Sequence, residues 1–307
     1  MGMYDMSDLQ YQAVYNVLSF SLASMMATTI YLWFRANAVK DQYKSAVIIS
    51  GLVTFIAAYH YFRIFNSWVE AYTYAGVKSG DGPNLTGVPF NDAYRYMDWL
   101  LTVPLLLIEI LLVMKLDADT FSTKASVLGV GSALMIVSGY YGELTVTGDL
   151  TPRWICWAVS MCFFLYIVYE LLVGLASATA SETDQTIAGK IKVAQVMTVI
   201  SWCTYPVVYL FPMLGINAAT AVVSIQVGYC VSDIISKCGV GLVVYQISYA
   251  KSNKEGGTFV LEQVITVLST LLSELACHHR RNKIHQFCIQ KRPNGCHDIG
   301  ALNSHNI

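Results

Sequence analysis

Residues 228–245 read GYCVSDIISKCGVGLVVY. Lys237 sits inside this apolar run, far from either end of a hydrophobic span read over 218–250. From there its amine cannot easily reach water. An unpaired charge at the centre of a bilayer costs at least about 3 kcal/mol. Asp233 lies one helical turn earlier, at i−4 and on the same face. Two chemistries are open to such a pair. It can be a buried structural ion pair. Alternatively, the desolvated amine can act as a nucleophile toward an aldehyde and form a Schiff base. A protonated Schiff base is still a buried cation, and it needs more than one anion nearby.

The rest of the chain supplies the solvent for that lysine. Of its 307 residues, 55% are hydrophobic and 13% charged, with a mean hydropathy of +0.49. A soluble domain carries about 25% charged residues, so most of this surface faces lipid. A membrane helix needs about 20 mostly apolar residues, and seven stretches meet that length: 12–34, 45–68, 92–114, 123–144, 152–176, 188–214 and 218–250. A Gly-rich polar stretch, 76–87, separates the second from the third. Short connections predict an all-α, seven-transmembrane-helix bundle with up-down topology.

Net charge is −1 and the sequence pI about 6.6, which excludes nucleic-acid binding as a bulk property. Cys156, Cys162, Cys203, Cys230 and Cys238 fall in apolar stretches and read as small apolar filler; Cys277, Cys288 and Cys296 lie beyond the last span. Irregular spacing and the lack of any CxxC pair predict neither a metal site nor a disulfide framework. The N-terminal segment MGMYDMSDLQ has no basic region followed by an apolar core, so no cleaved signal peptide is expected.

Lysine and arginine in short loops set orientation. Arg35, Lys40, Lys44, Lys115, Lys124, Lys190, Lys192, Lys251 and Lys254 gather on one side; the other carries mainly Lys78 and Arg153. This puts the N-terminus outside and the C-terminus in the cytoplasm. The chain divides into a seven-helix domain, 1–254, and a tail, 255–307, expected to be cytoplasmic and poorly ordered. The tail is basic around His278-His279-Arg280-Arg281 and has no assigned role.

The third span holds the anions that the lysine needs. It reads RYMDWLLTVPLLLIE from Arg95 to Glu109. Asp98, Thr102 and Glu109 stand at i, i+4 and i+11, about three turns, so they share one face and Glu109 lies about 16 Å from Asp98 along the axis. This helix runs from outside to inside. Two carboxylates on one stripe with a cation between them make a proton path. His60 and Arg63 in the second span and Glu170 late in the fifth are further ionisable groups.

RYMDWLLTVPLL together with SDIISK resembles the microbial (type 1) rhodopsins, most closely their proteorhodopsin branch. The likeness covers all seven spans and not the tail. It implies a retinal pocket at the centre of the bundle, with all-trans retinal on Lys237 as a protonated Schiff base. It further implies Asp98 as counterion and proton acceptor, Asp233 as second counterion, Glu109 as proton donor, and Arg95 as the arginine beneath the counterions. The Asp98, Thr102, Glu109 set matches the proton-pump pattern; chloride and sodium pumps carry other residues there. The resemblance also places Trp99, Trp202, Tyr205 and Pro206 in an aromatic box around the polyene, Met135 and Gly139 near the ionone ring, Phe164 in place of a family tryptophan, and His60 against Asp98. Leu106 matches the leucine of green-absorbing members. Trp157 falls where some related pumps carry a glycine that admits a carotenoid, so no carotenoid antenna is expected. The implied function is a light-driven outward proton pump, a transporter rather than an enzyme. The alternative is a sensory rhodopsin signalling through a partner protein, though such proteins often lack the donor carboxylate. Lipid, retinal and protons are the implied partners, and a homo-oligomer is left open. Acid is expected to protonate Asp98 above the range of a model aspartate and shift absorption to longer wavelength.

Overall fold

The computed structural model describes residues 5–78, 81–144 and 149–256. The chain divides into units Met1–Asn253 and Lys254–Ile307. Beyond Gly256 the expected tail lies outside the described residues.

Seven helices long and apolar enough to cross a membrane make up the described residues: α1 (Asp8–Ala38), α2 (Asp41–Ala71), α3 (Ala93–Val113), α4 (Ala118–Leu144), α5 (Thr151–Ala180), α6 (Gln185–Tyr209) and α7 (Ala218–Gly256). Helices adjacent in sequence pack together, and α7 also packs on α1, which closes the ring. Between α2 and α3 the Gly-rich stretch forms a small antiparallel hairpin, β1 (Tyr72–Thr73) with β2 (Asn84–Leu85), pairing Tyr72 with Leu85. Hydropathy alone gave no sign of it.

Several helices start earlier than the apolar runs, because polar caps extend them past the hydrophobic stretch. Ser7 and Gln10 form a reciprocal capping box at the head of α1. Asp117 Oδ1 accepts from Thr120 N at 2.9 Å ahead of α4, and Asp184 Oδ1 accepts from Thr186 N at 2.9 Å ahead of α6. At the other end α6 stops at Tyr209, and Phe211–Leu214 follow as a 3₁₀ turn.

Polarity is arranged as a membrane requires. Large apolar side chains such as Phe20, Phe34, Ile155, Leu165 and Ile200 point outward, where lipid receives them. The interior holds serine, threonine and charge: Thr29 and Thr54 hydroxyls meet at 2.8 Å between α1 and α2. Such groups survive burial only when partnered. Cys230 and Cys238 are buried, whereas Cys162 and Cys203 face outward; they are apolar surface rather than core filler.

Two π-turns interrupt the helices, Glu170–Gly174 in α5 and Ile234–Gly239 in α7. Each inserts an extra residue into the helical ladder and turns the face that follows. The second begins directly after Asp233 and contains Lys237.

Candidate functional site

The π-turn of α7 delivers Lys237 to the bundle axis, where it is 1% exposed. Its Nζ donates to Asp98 Oδ2 at 2.5 Å and sits 3.0 Å from Asp233 Oδ1. One buried cation thus faces two buried carboxylates from α3 and α7.

The two carboxylates differ in their other partners. Tyr61 Oη donates to Asp233 Oδ2 at 2.8 Å, and Tyr205 Oη donates to Asp233 Oδ1 at 2.5 Å. Both oxygens of Asp233 are therefore engaged. Asp98 Oδ1 has no hydrogen-bond partner. Thr102 Oγ1 donates at 2.8 Å to the backbone carbonyl of Asp98 and leaves its carboxylate alone.

Arg95 lies on α3 one turn before Asp98 and is linked to this cluster through Tyr61, whose hydroxyl accepts from Nη1 at 3.1 Å. Glu109 is fully buried further along α3. Ser50 of α2 is its polar neighbour, but that hydroxyl donates to Ala46 O at 3.1 Å, and neither Glu109 oxygen is in hydrogen-bonding geometry with a partner. His60 is 9% exposed, with its ring edge-on to Tyr59 and its Nδ1 unpartnered. No hydrogen bond joins His60 to Asp98 among the described residues, so the pairing expected from the sequence is not formed in this conformation. Each side keeps a free atom for it.

From Lys237 a cavity of about 740 Å³, its mouth included, opens between α3, α4, α5, α6 and α7. Trp99, Leu106, Met135, Gly139, Phe164, Trp202, Tyr205 and Pro206 all line it together with Lys237. Gly139 opens space on α4: a Cβ there would lie 3.7 Å from Ser160 Oγ. Trp99 packs edge-on against Tyr205 and Tyr229, with ring centroids 5.0 and 4.9 Å away. An apolar, aromatic slot ending at one amine fits a long conjugated aldehyde.

A model of the bacteriorhodopsin-like family matches residues 12–250. The chain belongs to that family of microbial rhodopsins. It is 27% identical over 241 residues to the green-light absorbing proteorhodopsin of a gamma-proteobacterium, an alignment covering 78% of this chain and 88% of that protein. It is 31% identical over 234 residues to the bacteriorhodopsin of Halobacterium salinarum, covering 74% and 80%. Among solved structures it resembles xanthorhodopsin, described as a light-driven ion pump with dual chromophore, with a TM-score of 0.77, 37% identity and coverage of 83% and 99%. This rhodopsin is therefore an integral multi-pass membrane protein from a family of light-driven proton pumps, transporters rather than enzymes, whose members bind retinal.

Sequence reasoning missed several residues of the site. Tyr61, whose hydroxyl reaches Asp233, was hidden beside the more conspicuous His60. Asp92 and Gln226, which hold Arg95, carried no signal at all. Arg153, counted as a loop charge, is buried at the head of α5, where Nη2 donates to Glu143 Oε2 at 3.1 Å. Glu170, left unpartnered by the sequence, pairs with Lys124 at 2.5 Å.

Proposed function

We propose that this rhodopsin is a light-driven outward proton pump carrying all-trans retinal on Lys237 Nζ as a protonated Schiff base. The observation that carries this reading is the unequal pair of carboxylates around one buried amine. Bound there, retinal supplies light absorption and an isomerisation that loosens the proton on the nitrogen. Asp98 Oδ2, 2.5 Å from Nζ, is within direct transfer distance, and its Oδ1 has accepting capacity to spare. Asp233 has both oxygens engaged by tyrosine hydroxyls, which fix it beside Nζ as the second counterion. Glu109, buried and without a bonded partner, stores a proton on the inner side for return to the Lys237 nitrogen. Lysine and arginine placement supports an outside N-terminus and a cytoplasmic C-terminus, which makes the Asp98 side the outlet.

The test is light-induced pH change in cells expressing the chain with added retinal. Acidification of the medium, abolished by a protonophore, is expected. No change, or alkalinisation, would overturn outward pumping.

Leu106 is buried in the cavity wall. An apolar group there leaves the excited-state charge shift unopposed, so green absorption is expected, and Leu106→Gln should move the maximum to the blue. An unmoved spectrum would reject contact between this residue and the polyene.

Trp157 fills one wall of the cavity, pinned by a 3.1 Å hydrogen bond from Nε1 to Pro206 O. We expect its indole to block a carotenoid. Excitation spectra with added carotenoid should lack its bands; their appearance would show the wall to be open.

A further inference from the structure

Arg95 is the second fully buried cation of the bundle core, and its hydrogen bonds form a closed ring. Nε donates to Asp92 Oδ1 at 2.9 Å and Nη2 to Gln226 Oε1 at 2.5 Å, while Gln226 Nε2 donates to Asp92 Oδ2 at 3.1 Å. The guanidinium also lies over the rings of Tyr61 and Tyr229, with centroids 5.2 and 5.4 Å away. Gln226 precedes Asp233 by seven residues, so the ring sits about two turns, roughly 10 Å, outward of the Lys237 cluster.

Charge then separates into two groups. Lys237 faces Asp98 and Asp233; Arg95 faces Asp92. Among the described residues the Tyr61 hydroxyl, accepting from Arg95 and donating to Asp233, is the hydrogen-bond link between them. We infer that Asp92 and Gln226 are positioning residues for Arg95: they hold its guanidinium outward of Tyr61 and offset its charge, so that Lys237 is the one cation in contact with the acceptor Asp98.

The physical reason is that an arginine free to swing inward would add a second positive charge beside Asp98. That would favour its ionised form and weaken its hold on the transferred proton. Besides Arg95 on its own helix, the titratable groups around Asp98 are Lys237 and Asp233 of α7 and Tyr205 of α6, while Tyr61 and His60 of α2 face the same cluster at Asp233 and Lys237. Of these, only Arg95 has its position set by Asp92 and Gln226.

The inference rests on the proposed retinal site, and the test has one arm that needs pigment and one that does not. In the retinal-loaded full chain, the midpoint of the acid-induced shift to longer wavelength is measured. Asp92→Asn should lower it by about two pH units with Arg95 present. In an Arg95→Gln background it should lower it by about one, the direct field of a charge roughly 10 Å away at an effective dielectric near 20. Gln226→Leu changes no charge. It should lower the midpoint with Arg95 present and leave it unmoved in Arg95→Gln. Equal shifts in both backgrounds, or an unmoved midpoint in Gln226→Leu, would overturn positioning. Should Asp92→Asn fail to fold, Gln226→Leu carries the comparison alone.

Without retinal, guanidinium ¹⁵N NMR of the Arg95 side chain, assigned by its loss in Arg95→Gln, should show slow rotation about Nε–Cζ. Gln226→Leu should make that rotation fast. Fast rotation in the unaltered chain would overturn the inference whatever the pigment arm gives. A colourless unaltered chain would instead count against the proposed function.

Discussion

Lys237→Ala protein supplied with retinal should form no visible pigment, and light should drive no transport. Among the described residues Lys237 is the single lysine lining the cavity. The substitution also strands Asp98 and Asp233 in the protein interior without their cation. Removing one partner of a buried pair costs about 3–5 kcal/mol, so lost colour alone could reflect misfolding. Lys237→Arg separates the two causes. It keeps a cation between the carboxylates but offers a guanidinium that does not condense with an aldehyde. We expect Lys237→Arg to fold, to melt closer to wild type than Lys237→Ala does, and to stay colourless. Absorption surviving in either variant would remove Lys237 as the attachment point.

The second large effect is kinetic. Glu109→Gln should leave the absorption maximum unchanged, because about three helical turns separate it from Asp98. It should slow the return of a proton to the Lys237 nitrogen by about a hundredfold or more, the usual worth of a positioned general acid. With the store gone, protons arrive from the cytoplasm. The slow phase should therefore track external proton concentration, while in the unaltered chain it should not. A small diffusible weak acid should restore the rate. A Glu109→Gln photocycle as fast as wild type at neutral pH would remove Glu109 as donor and favour a sensory role.

These effects differ in kind because the two residues use burial differently. Lys237 is buried among partners: two carboxylates within 3.0 Å satisfy its charge. Glu109 is buried without them, both oxygens outside any hydrogen bond. An ionised carboxylate left so would be costly.

The chain's own sequence determined the seven spans, the mid-span lysine and the acidic stripe of α3. These are local quantities: hydropathy summed over about 20 residues, and side chains three or four apart sharing a face. The tail past Lys254 was set apart by composition alone. Helix starts were misjudged by several residues at Asp8, Ala118 and Gln185, because caps such as Ser7, Asp117 and Asp184 are polar and lie outside any hydropathy window. Only the tertiary structure decided which groups meet. Tyr61 reaches Asp233 across 172 residues, and Arg95 reaches Gln226 across 131. No periodicity within one helix encodes contacts between helices so far apart in the chain. The same packing inserted a π-turn after Asp233, occupied both its oxygens, and left one oxygen of Asp98 open. Two aspartates that look alike in the sequence are thereby made unlike, because the donors that engage one and not the other come from other helices.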